Sequence, residues 1–232
     1  MGSDMKLSQF KQWHQSRLLR RDFTAWLVCA LAAGGLPLTL QMAHAAPAPT
    51  IVVLGDSLSA EYGLKRGSGW VELLKARLKA EKIPATVVNA SISGDTTAGG
   101  RSRMATLIHH HKPTHVIIEL GGNDALRGLP LDMTQTNLSA MTQAFKRTGA
   151  KVLLLGIQVP PNYGGDYTRR FADTFVAVSA AEKVPLVPFF LKGIGDVPDS
   201  ATLFQADRIH PNEQAQAAML DNVWPELKKL LK

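Results

Sequence analysis

Short runs rich in Val, Ile and Leu recur along the chain from about residue 50 onward. The runs are continuous and do not alternate with polar residues, which is typical of strands that are covered on both faces. Five such strands are predicted, at Ile51–Leu54, Thr86–Asn89, His115–Leu120, Lys151–Gly156 and Val184–Pro188.

The segments between these runs are long enough for helices. In the first of them, Trp70, Leu73, Leu74 and Leu78 have helical spacing, which predicts a buried helical face. Helices are therefore predicted at roughly Gly69–Glu81, Thr97–His110, Met133–Arg147 and Tyr167–Glu182, with a last one after Pro211.

Regular alternation of strands and helices predicts a parallel sheet with helices on both sides. Five strands in one doubly wound α/β domain give a three-layer α/β/α, flavodoxin-like architecture. Because no linker or internal repeat interrupts the pattern, residues 46–232 are predicted to form a single domain.

The first 45 residues have a different pattern, which is typical of a signal peptide. A basic segment is followed by the nearly uncharged stretch Thr24–Met42 and then by Ala43-His44-Ala45, a small-x-small cleavage pattern. We therefore expect cleavage before Ala46 and a periplasmic or secreted protein. A retained membrane anchor is less favoured, because Gly34, Gly35 and Pro37 interrupt the apolar stretch.

Two export routes stay open. Arg20-Arg21-Asp22-Phe23 is similar to the twin-arginine signal, but neither the residues before the pair nor those after Phe23 complete that pattern. The general secretory route is the alternative. A lipoprotein anchor at Cys29 is not expected, because the bulky Val28 precedes it where a small residue is needed.

Removal of residues 1–45 changes the chemistry available to the chain. It leaves 187 residues with 21 Lys/Arg against 17 Asp/Glu, a net charge of +4, and it removes the only cysteine. Cysteine nucleophiles, thiolate metal sites and disulfides are thereby excluded. The basic residues are scattered without interleaved aromatic residues, so no nucleic-acid partner is expected. Weak contact with an anionic membrane surface stays open, and we expect a monomer.

Polar residues and glycines follow each predicted strand, at the sheet edge where such folds bind ligands. Ser57 directly follows the first strand, and Asp207 and His210 lie beyond the fifth. A serine hydroxyl needs a base to become a nucleophile, and His210 is the candidate base. Asp207, three residues earlier, can orient the imidazole, and Pro211 suits the first position of the terminal helix.

An acyl-transfer reaction also needs hydrogen-bond donors for its developing oxyanion. Gly94, which has no side chain to block an approach, can offer its backbone N–H, and Asn123 can offer its side-chain amide. The Ser57 N–H would be a third donor. This chemistry requires no metal and no organic cofactor.

With these residues, the chain resembles the SGNH, or GDSL, hydrolase superfamily. The matching motifs are Gly-Asp-Ser-Leu at Ser57, Ser-Gly-Asp-Thr at Gly94, Gly-Gly-Asn-Asp at Asn123 and Asp-x-x-His-Pro at His210. Further stretches are similar to the bacterial periplasmic branch of multifunctional thioesterases, lysophospholipases and arylesterases.

The resemblance implies a triad of Ser57, Asp207 and His210, with Gly94 and Asn123 as oxyanion donors. It also implies hydrolysis of acyl esters and thioesters, including lysophospholipids and acyl-CoA type substrates. A mobile loop at Leu126–Leu129 would lie beside the acyl chain.

Alternatives remain for the function and for single residues. An envelope carbohydrate O-deacetylase would share the triad but would need an open polar cleft, and a catalytically silent binding module would lack a reactive serine.

Departures from the branch at Glu61-Tyr62, Arg101 and Arg103 could alter substrate preference. The run at 109–111 is interpreted as a solvated helix end, because consecutive histidines on a helix point in different directions.

Overall fold

The computed structural model of the protein describes residues 48–232, so the predicted signal peptide lies outside the described residues. The strands are β1 (Thr50–Gly55), β2 (Thr86–Asn89), β3 (His115–Glu119), β4 (Lys151–Leu155) and β5 (Leu186–Val187). The helices are α1 (Trp70–Ala80), α2 (Thr97–His111), α3 (Gly122–Leu126), α4 (Leu131–Arg147), α5 (Gly165–Glu182) and α6 (Gln216–Leu230). No helix in this part of the chain is long and apolar enough to cross a membrane.

The strands form one sheet in the order β2-β1-β3-β4-β5, and every adjacent pair is parallel. This is the flavodoxin-like order, with its topological switch point at β1 and β3. The predicted three-layer α/β/α fold is therefore confirmed. Because all strands are parallel, their carboxyl ends lie at one edge of the sheet, and the loops that follow them meet there.

Apolar side chains cover both faces of the sheet, as the continuous hydrophobic runs predict. On one face, Ile51 and Val53 of β1 pack in a buried cluster with residues of α1 and α6. On the other face, Leu54 belongs to a second cluster with residues of α2, α4 and α5. β1 is thus buried from Ile51 to Gly55, and the residues that follow it begin from a rigid support.

The observed elements differ from the predicted ones in the length of β5 and in an additional short helix, α3. β5 is confined to Leu186–Val187, because Pro185 and Pro188 on either side have no N–H to donate to a sheet. α3 was not predicted, since its Gly-Gly-Asn-Asp start is typical of a turn. Leu126 ends α3, and the backbone N–H of Leu129 donates to the Asp124 carbonyl at 2.9 Å, so the expected loop begins as a hydrogen-bonded turn after this helix.

The prediction that Pro211 starts the terminal helix is wrong. Pro211 forms an isolated antiparallel bridge with Phe204, and α6 begins only at Gln216. Between them, the Asn212 side chain caps a short 3₁₀ turn at Glu213–Ala215 by accepting a hydrogen bond from the Gln214 N–H. The sharp loop that carries His210 is therefore held by a strand-like bridge and a side-chain cap.

Candidate active site

Ser57 lies two residues beyond the end of β1, at the carboxyl edge of the sheet. Its Oγ is 2.8 Å from His210 Nε2, although 153 positions separate the two residues along the chain. The fold thus brings together the predicted nucleophile and base at hydrogen-bonding distance, which is the first geometric requirement for an activated serine.

Asp207 completes the arrangement from within the same loop. Its Oδ2 lies 2.7 Å from His210 Nδ1, and its Oδ1 accepts hydrogen bonds from the backbone N–H groups of Ile209 and His210, both at 3.0 Å. Arg208, at φ 57°, provides the left-handed turn that folds the aspartate back toward the imidazole.

These contacts set the protonation of the Asp207–His210 pair. Desolvation tends to raise the pKa of Asp207, but the hydrogen bonds from Ile209 N–H, His210 N–H and the imidazole outweigh it and lower that pKa to about 2. An ionised Asp207 accepts the proton of Nδ1. Nε2 is then the unprotonated nitrogen, and it can accept the proton of the Ser57 hydroxyl.

Gly94 lies in the loop after β2 and has φ +79°, a left-handed conformation that L side chains rarely adopt. Its carbonyl accepts a hydrogen bond from Arg127 Nη2 at 2.8 Å, which fixes the orientation of the peptide. Among residues 48–232, the backbone N–H groups of Gly94 and Ser57 donate no hydrogen bond, so both remain available to a substrate oxygen.

Asn123 lies in the first turn of α3, directly after β3. Its Nδ2 donates a hydrogen bond to Asp56 Oδ2 at 3.0 Å, and Asp56 is the neighbour of Ser57. An amide nitrogen carries two protons, so the second one can serve an oxyanion. The structure therefore brings Asn123 to the same strand-end edge as Ser57, His210 and Asp207.

Two residues near the site were given no part in the predicted catalytic machinery. Glu119 is the last residue of β3 and is completely buried; its carboxylate accepts a hydrogen bond from Ser59 Oγ at 2.7 Å. Tyr62 packs its ring against His210 with ring centroids 4.4 Å apart. In the sequence, Glu119 is an acid at the end of an apolar run and begins a stretch that resembles the bacterial branch. Tyr62 is identified there only as a departure from that branch that could alter substrate preference.

Structural partners are found for Arg101 and Arg103, whose roles the sequence left open, and for Asp95 and Asp124 of the matching motifs. Asp95 forms a 2.7 Å ion pair with Arg103, whose guanidinium also bonds the Ala90 carbonyl, so Arg103 clamps the loop that carries Gly94. Arg101 donates to Asn137 at 3.1 Å. Asp124 is buried and accepts a hydrogen bond from the Thr97 N–H at 2.9 Å.

The histidine run lies at the end of α2, where His109 and His110 are exposed. No group of three or more His, Cys, Asp or Glu within the described range 48–232 could hold a metal ion.

A Ser-His-Asp relay with adjacent backbone and amide donors, on a flavodoxin-like sheet, defines the class of serine-dependent acyl hydrolases. Residues 53–218 match the GDSL-like Lipase/Acylhydrolase family, and the chain belongs to it.

Characterised relatives cover most of the chain. It is 53% identical over 201 residues to "Esterase TesA" of Pseudomonas aeruginosa, a match that spans 87% of this chain and 98% of the relative. It is 41% identical to "Arylesterase" of Vibrio mimicus, over 78% of this chain and 89% of the relative. It is 38% identical to "Thioesterase 1/protease 1/lysophospholipase L1" of Escherichia coli strain K12, over 84% and 90%.

Solved structures of esterases are also similar to this protein. The crystal structure of TesA superposes with a TM-score of 0.75 at 54% identity, over 78% of this chain and 99% of that one. The psychrotrophic esterase EstA from Pseudoalteromonas sp., in a structure inhibited by monoethylphosphonate, gives a TM-score of 0.73 at 41% identity, over 78% and 98%.

Proposed function

We propose that this protein hydrolyses carboxylic esters and acyl thioesters through an acyl-enzyme on Ser57. The reaction class rests on family membership and on relatives named esterase, arylesterase and thioesterase. The observation that carries the assignment of residues is the continuous relay from Asp207 through His210 to Ser57, with distances of 2.7 and 2.8 Å.

In the first half of the reaction, Ser57 Oγ attacks the acyl carbonyl carbon while His210 Nε2 takes the hydroxyl proton. The carbonyl electrons move onto the oxygen, and the resulting oxyanion accepts hydrogen bonds from Ser57 N–H, Gly94 N–H and Asn123 Nδ2. Asp207 stabilises the imidazolium that forms. When the carbonyl reforms, the bond to the alcohol or thiol breaks, and His210 protonates that leaving group.

In the second half, His210 takes a proton from water, and the resulting hydroxide attacks the acyl-Ser57 ester. The new oxyanion uses the same three donors, the bond to Ser57 Oγ breaks, and His210 returns the proton to the serine. The products are a carboxylic acid and the free enzyme. No step needs chemistry beyond that of the residues already named.

Apolar side chains around the site favour acyl substrates over carbohydrate. The described residues expose six large hydrophobic side chains, and five of these follow the carboxyl ends of strands, one after each: Tyr62, Ile92, Leu126, Tyr163 and Ile209. Solvent-exposed apolar groups around one edge suit an acyl chain or an aryl group. The O-deacetylase alternative, which needs a polar cleft, is therefore not favoured.

Replacing the nucleophile tests the proposal. Ser57→Ala should lower kcat for a short-chain aryl ester by roughly 10⁴-fold or more, because no other group supplies the attacking oxygen. A fluorophosphonate should add one label to the wild type and none to the variant, while circular dichroism stays unchanged. Ser102→Ala, which alters an exposed serine on α2, is the matched control and should keep both activity and label.

Turnover of Ser57→Ala at the wild-type rate would overturn the assignment of the nucleophile. A panel of aryl acetates, lysophospholipids, long acyl-CoA thioesters and an acetylated polysaccharide then identifies the substrate class. Preferential hydrolysis of the polysaccharide would replace the proposal with the deacetylase alternative.

The proposal extends to the N-terminal segment, which composition and cleavage pattern support. Residues 1–45 act as a signal peptide, and the mature monomeric domain begins at Ala46 and works in the periplasm or outside the cell. N-terminal sequencing of exported protein should start at Ala46, and a retained segment 1–45 would contradict this. Joint replacement of Arg20→Lys and Arg21→Lys should block export by the twin-arginine route only, with Arg17→Lys as the matched control.

A further inference from the structure

Two buried carboxyl groups lie directly beneath the candidate nucleophile. Glu119 ends β3, pairs in register with Gly55 of β1, and has no exposed surface. Asp56, the residue between Gly55 and Ser57, is 2% exposed. Neither carboxyl group forms a hydrogen bond with Ser57 or His210 within the described part of the chain, so the mechanism above leaves their presence unexplained.

Hydrogen bonds define which of the two acids carries a proton. Glu119 Oε2 accepts hydrogen bonds from Ser59 Oγ at 2.7 Å and from the Asp56 N–H at 3.3 Å. Glu119 Oε1 is fully buried and receives no hydrogen bond from the described part of the chain. An oxygen without a donor, in a site that water does not reach, is the one expected to carry the proton.

Asp56 is the candidate acceptor for that proton. Its Oδ1 accepts from the Leu58 N–H at 3.0 Å and its Oδ2 from Asn123 Nδ2 at 3.0 Å, so both oxygens already act as acceptors. The carboxyl groups of Asp56 and Glu119 are also neighbours, because the Asp56 N–H donates to Glu119 Oε2, and each carboxyl group perturbs the pKa of the other. Two carboxyl groups can share a hydrogen bond only when one is protonated, and the contacts assign the proton to Glu119.

The electrostatics of the pair agree with this assignment. Burial raises the pKa of Glu119 well above its usual range, and the charge of Asp56 raises it further. Burial also raises the pKa of Asp56, to about 6, while hydrogen bonds from Leu58 N–H and Asn123 and the nearby His210 oppose that rise. Near neutral pH the pair therefore holds one proton, and Asp56 is its charged member.

We propose that Glu119 is a positioning residue: as a neutral acid it donates to Asp56, which then holds the Asn123 amide with its nitrogen toward the oxyanion. An amide that is free to rotate could present its oxygen to the oxyanion instead. An ionised Asp56 accepts only from the nitrogen side and so selects the productive orientation. This inference rests on the proposed function, in which Asn123 is an oxyanion donor.

The pair is anchored in the core of the domain. Trp70 Nε1 donates to Ser59 Oγ at 3.1 Å, and the same hydroxyl donates to Glu119, so a buried indole of α1 fixes the carboxyl group. A Cβ added at Gly55 would lie 2.8 Å from Glu119 Oε2, which shows how closely the two strands pack there. The acid therefore has one orientation, as a positioning role requires.

A double-mutant cycle tests whether Glu119 acts through Asn123. Glu119→Met should lower kcat for an aryl acetate by about tenfold with little change in KM, because the transition state loses an oriented donor. Glu119→Gln keeps a donor toward Asp56 and an acceptor toward Ser59, and it should retain kcat within about threefold. Asn123→Ala should lower kcat by about 10²-fold or more.

The proposal requires that the two effects do not add. In the Asn123→Ala background, Glu119→Met should cost less than about twofold, because the amide it positions is already gone. Additive losses, a rise in KM alone, or equal damage from Glu119→Gln and Glu119→Met would each overturn the inference. These outcomes separate positioning from a purely structural role, since a packing defect would persist without Asn123.

A spectroscopic measurement keeps the test valid if Glu119→Met does not fold. Infrared spectra of the wild type at pH 7 should contain the carbonyl band of a buried protonated carboxyl group, and Glu119→Gln should lack it. The absence of that band from the wild type would overturn the proposal. If wild-type protein neither hydrolysed aryl esters nor labelled at Ser57, the proposed function would fail instead, so the two failures are distinguishable.

Discussion

Tyr62 packs against the base of the candidate triad, with its ring tilted 40° to the imidazole of His210. Local contacts hold this tyrosine in place. The Glu61 carboxylate accepts hydrogen bonds from Gly67 N–H and Gly69 N–H, at 3.0 and 2.8 Å to Oε1, which fixes the loop. The Tyr62 carbonyl accepts from Gln205 Nε2 at 2.8 Å. At the residue scale, the loop after β1 therefore supplies both the candidate nucleophile and an aromatic contact for the candidate base.

Removal of the Tyr62 ring should weaken catalysis. Tyr62→Leu should lower kcat/KM for an aryl ester by roughly 2- to 10-fold, since an aromatic contact contributes about 0.5–1.5 kcal/mol to holding the imidazole toward Ser57. Tyr62→Phe keeps the ring and should stay within about twofold of the wild type. Steady-state kinetics of both variants test this prediction. Equal losses of kcat/KM in Tyr62→Leu and Tyr62→Phe would assign the effect to the phenol hydroxyl. An unchanged kcat/KM in Tyr62→Leu would show that the ring does not contribute to catalysis.

At the scale of elements, the position of a residue directly after a strand explains why the sequence predicts some parts of the site and not others. Each apolar run marks a strand, and polar residues follow each strand at the same edge. The position of Ser57, Gly94, Asn123 and His210 at that edge is therefore predictable from the order of strands and motifs. The role of Glu119 was not predictable, because an acid at the end of a run looks like a strand terminus. Its significance depends on the parallel register with Gly55, which only the fold supplies.

Short elements were also not predicted from the sequence. α3 has five residues, too few to show helical periodicity, yet it places Asn123 and Asp124 on one turn. Asp124 accepts from the Thr97 N–H at the start of α2 and, at 3.2 Å, from Thr134 Oγ1 of α4. A carboxylate at a helix N-terminus is favourable, and here it joins α3 to two long helices. Asn123, the proposed oxyanion donor, therefore lies on an element held by its neighbours.

At the scale of the whole molecule, ionisable groups change stability with pH in two directions. Hydrogen bonds lower the pKa of Asp207 from 3.8 to about 2, and burial lowers the pKa of His115 from 6.5, so their stabilisation is present above these usual values and is lost as pH falls. Glu119 and Asp56 have raised pKa values. Their contribution is complete below the usual 4.5 and 3.8 and is lost as pH rises through the folded-state values.

The difference in stability between Glu119→Gln and the wild type isolates the buried Asp56–Glu119 pair, because Asp207 and His115 lie outside that pair and titrate equally in both proteins. Above the usual pKa of 4.5 the unfolded wild-type chain releases the Glu119 proton, whereas the folded chain keeps it. Urea unfolding between about pH 5 and pH 8 should therefore show the variant gaining stability relative to the wild type, by up to about 1.4 kcal/mol per pH unit.

Asp173→Asn, which replaces an exposed acid on α5, is the matched control, and its difference from the wild type should stay small across the same range. A pH-independent difference for Glu119→Gln would mean that Glu119 is equally ionised in the folded and unfolded chains. The protonated pair beneath Ser57 would then not exist, and the orientation of Asn123 would need another cause. A rising difference would instead show that the fold gives up stability at neutral pH to keep this proton.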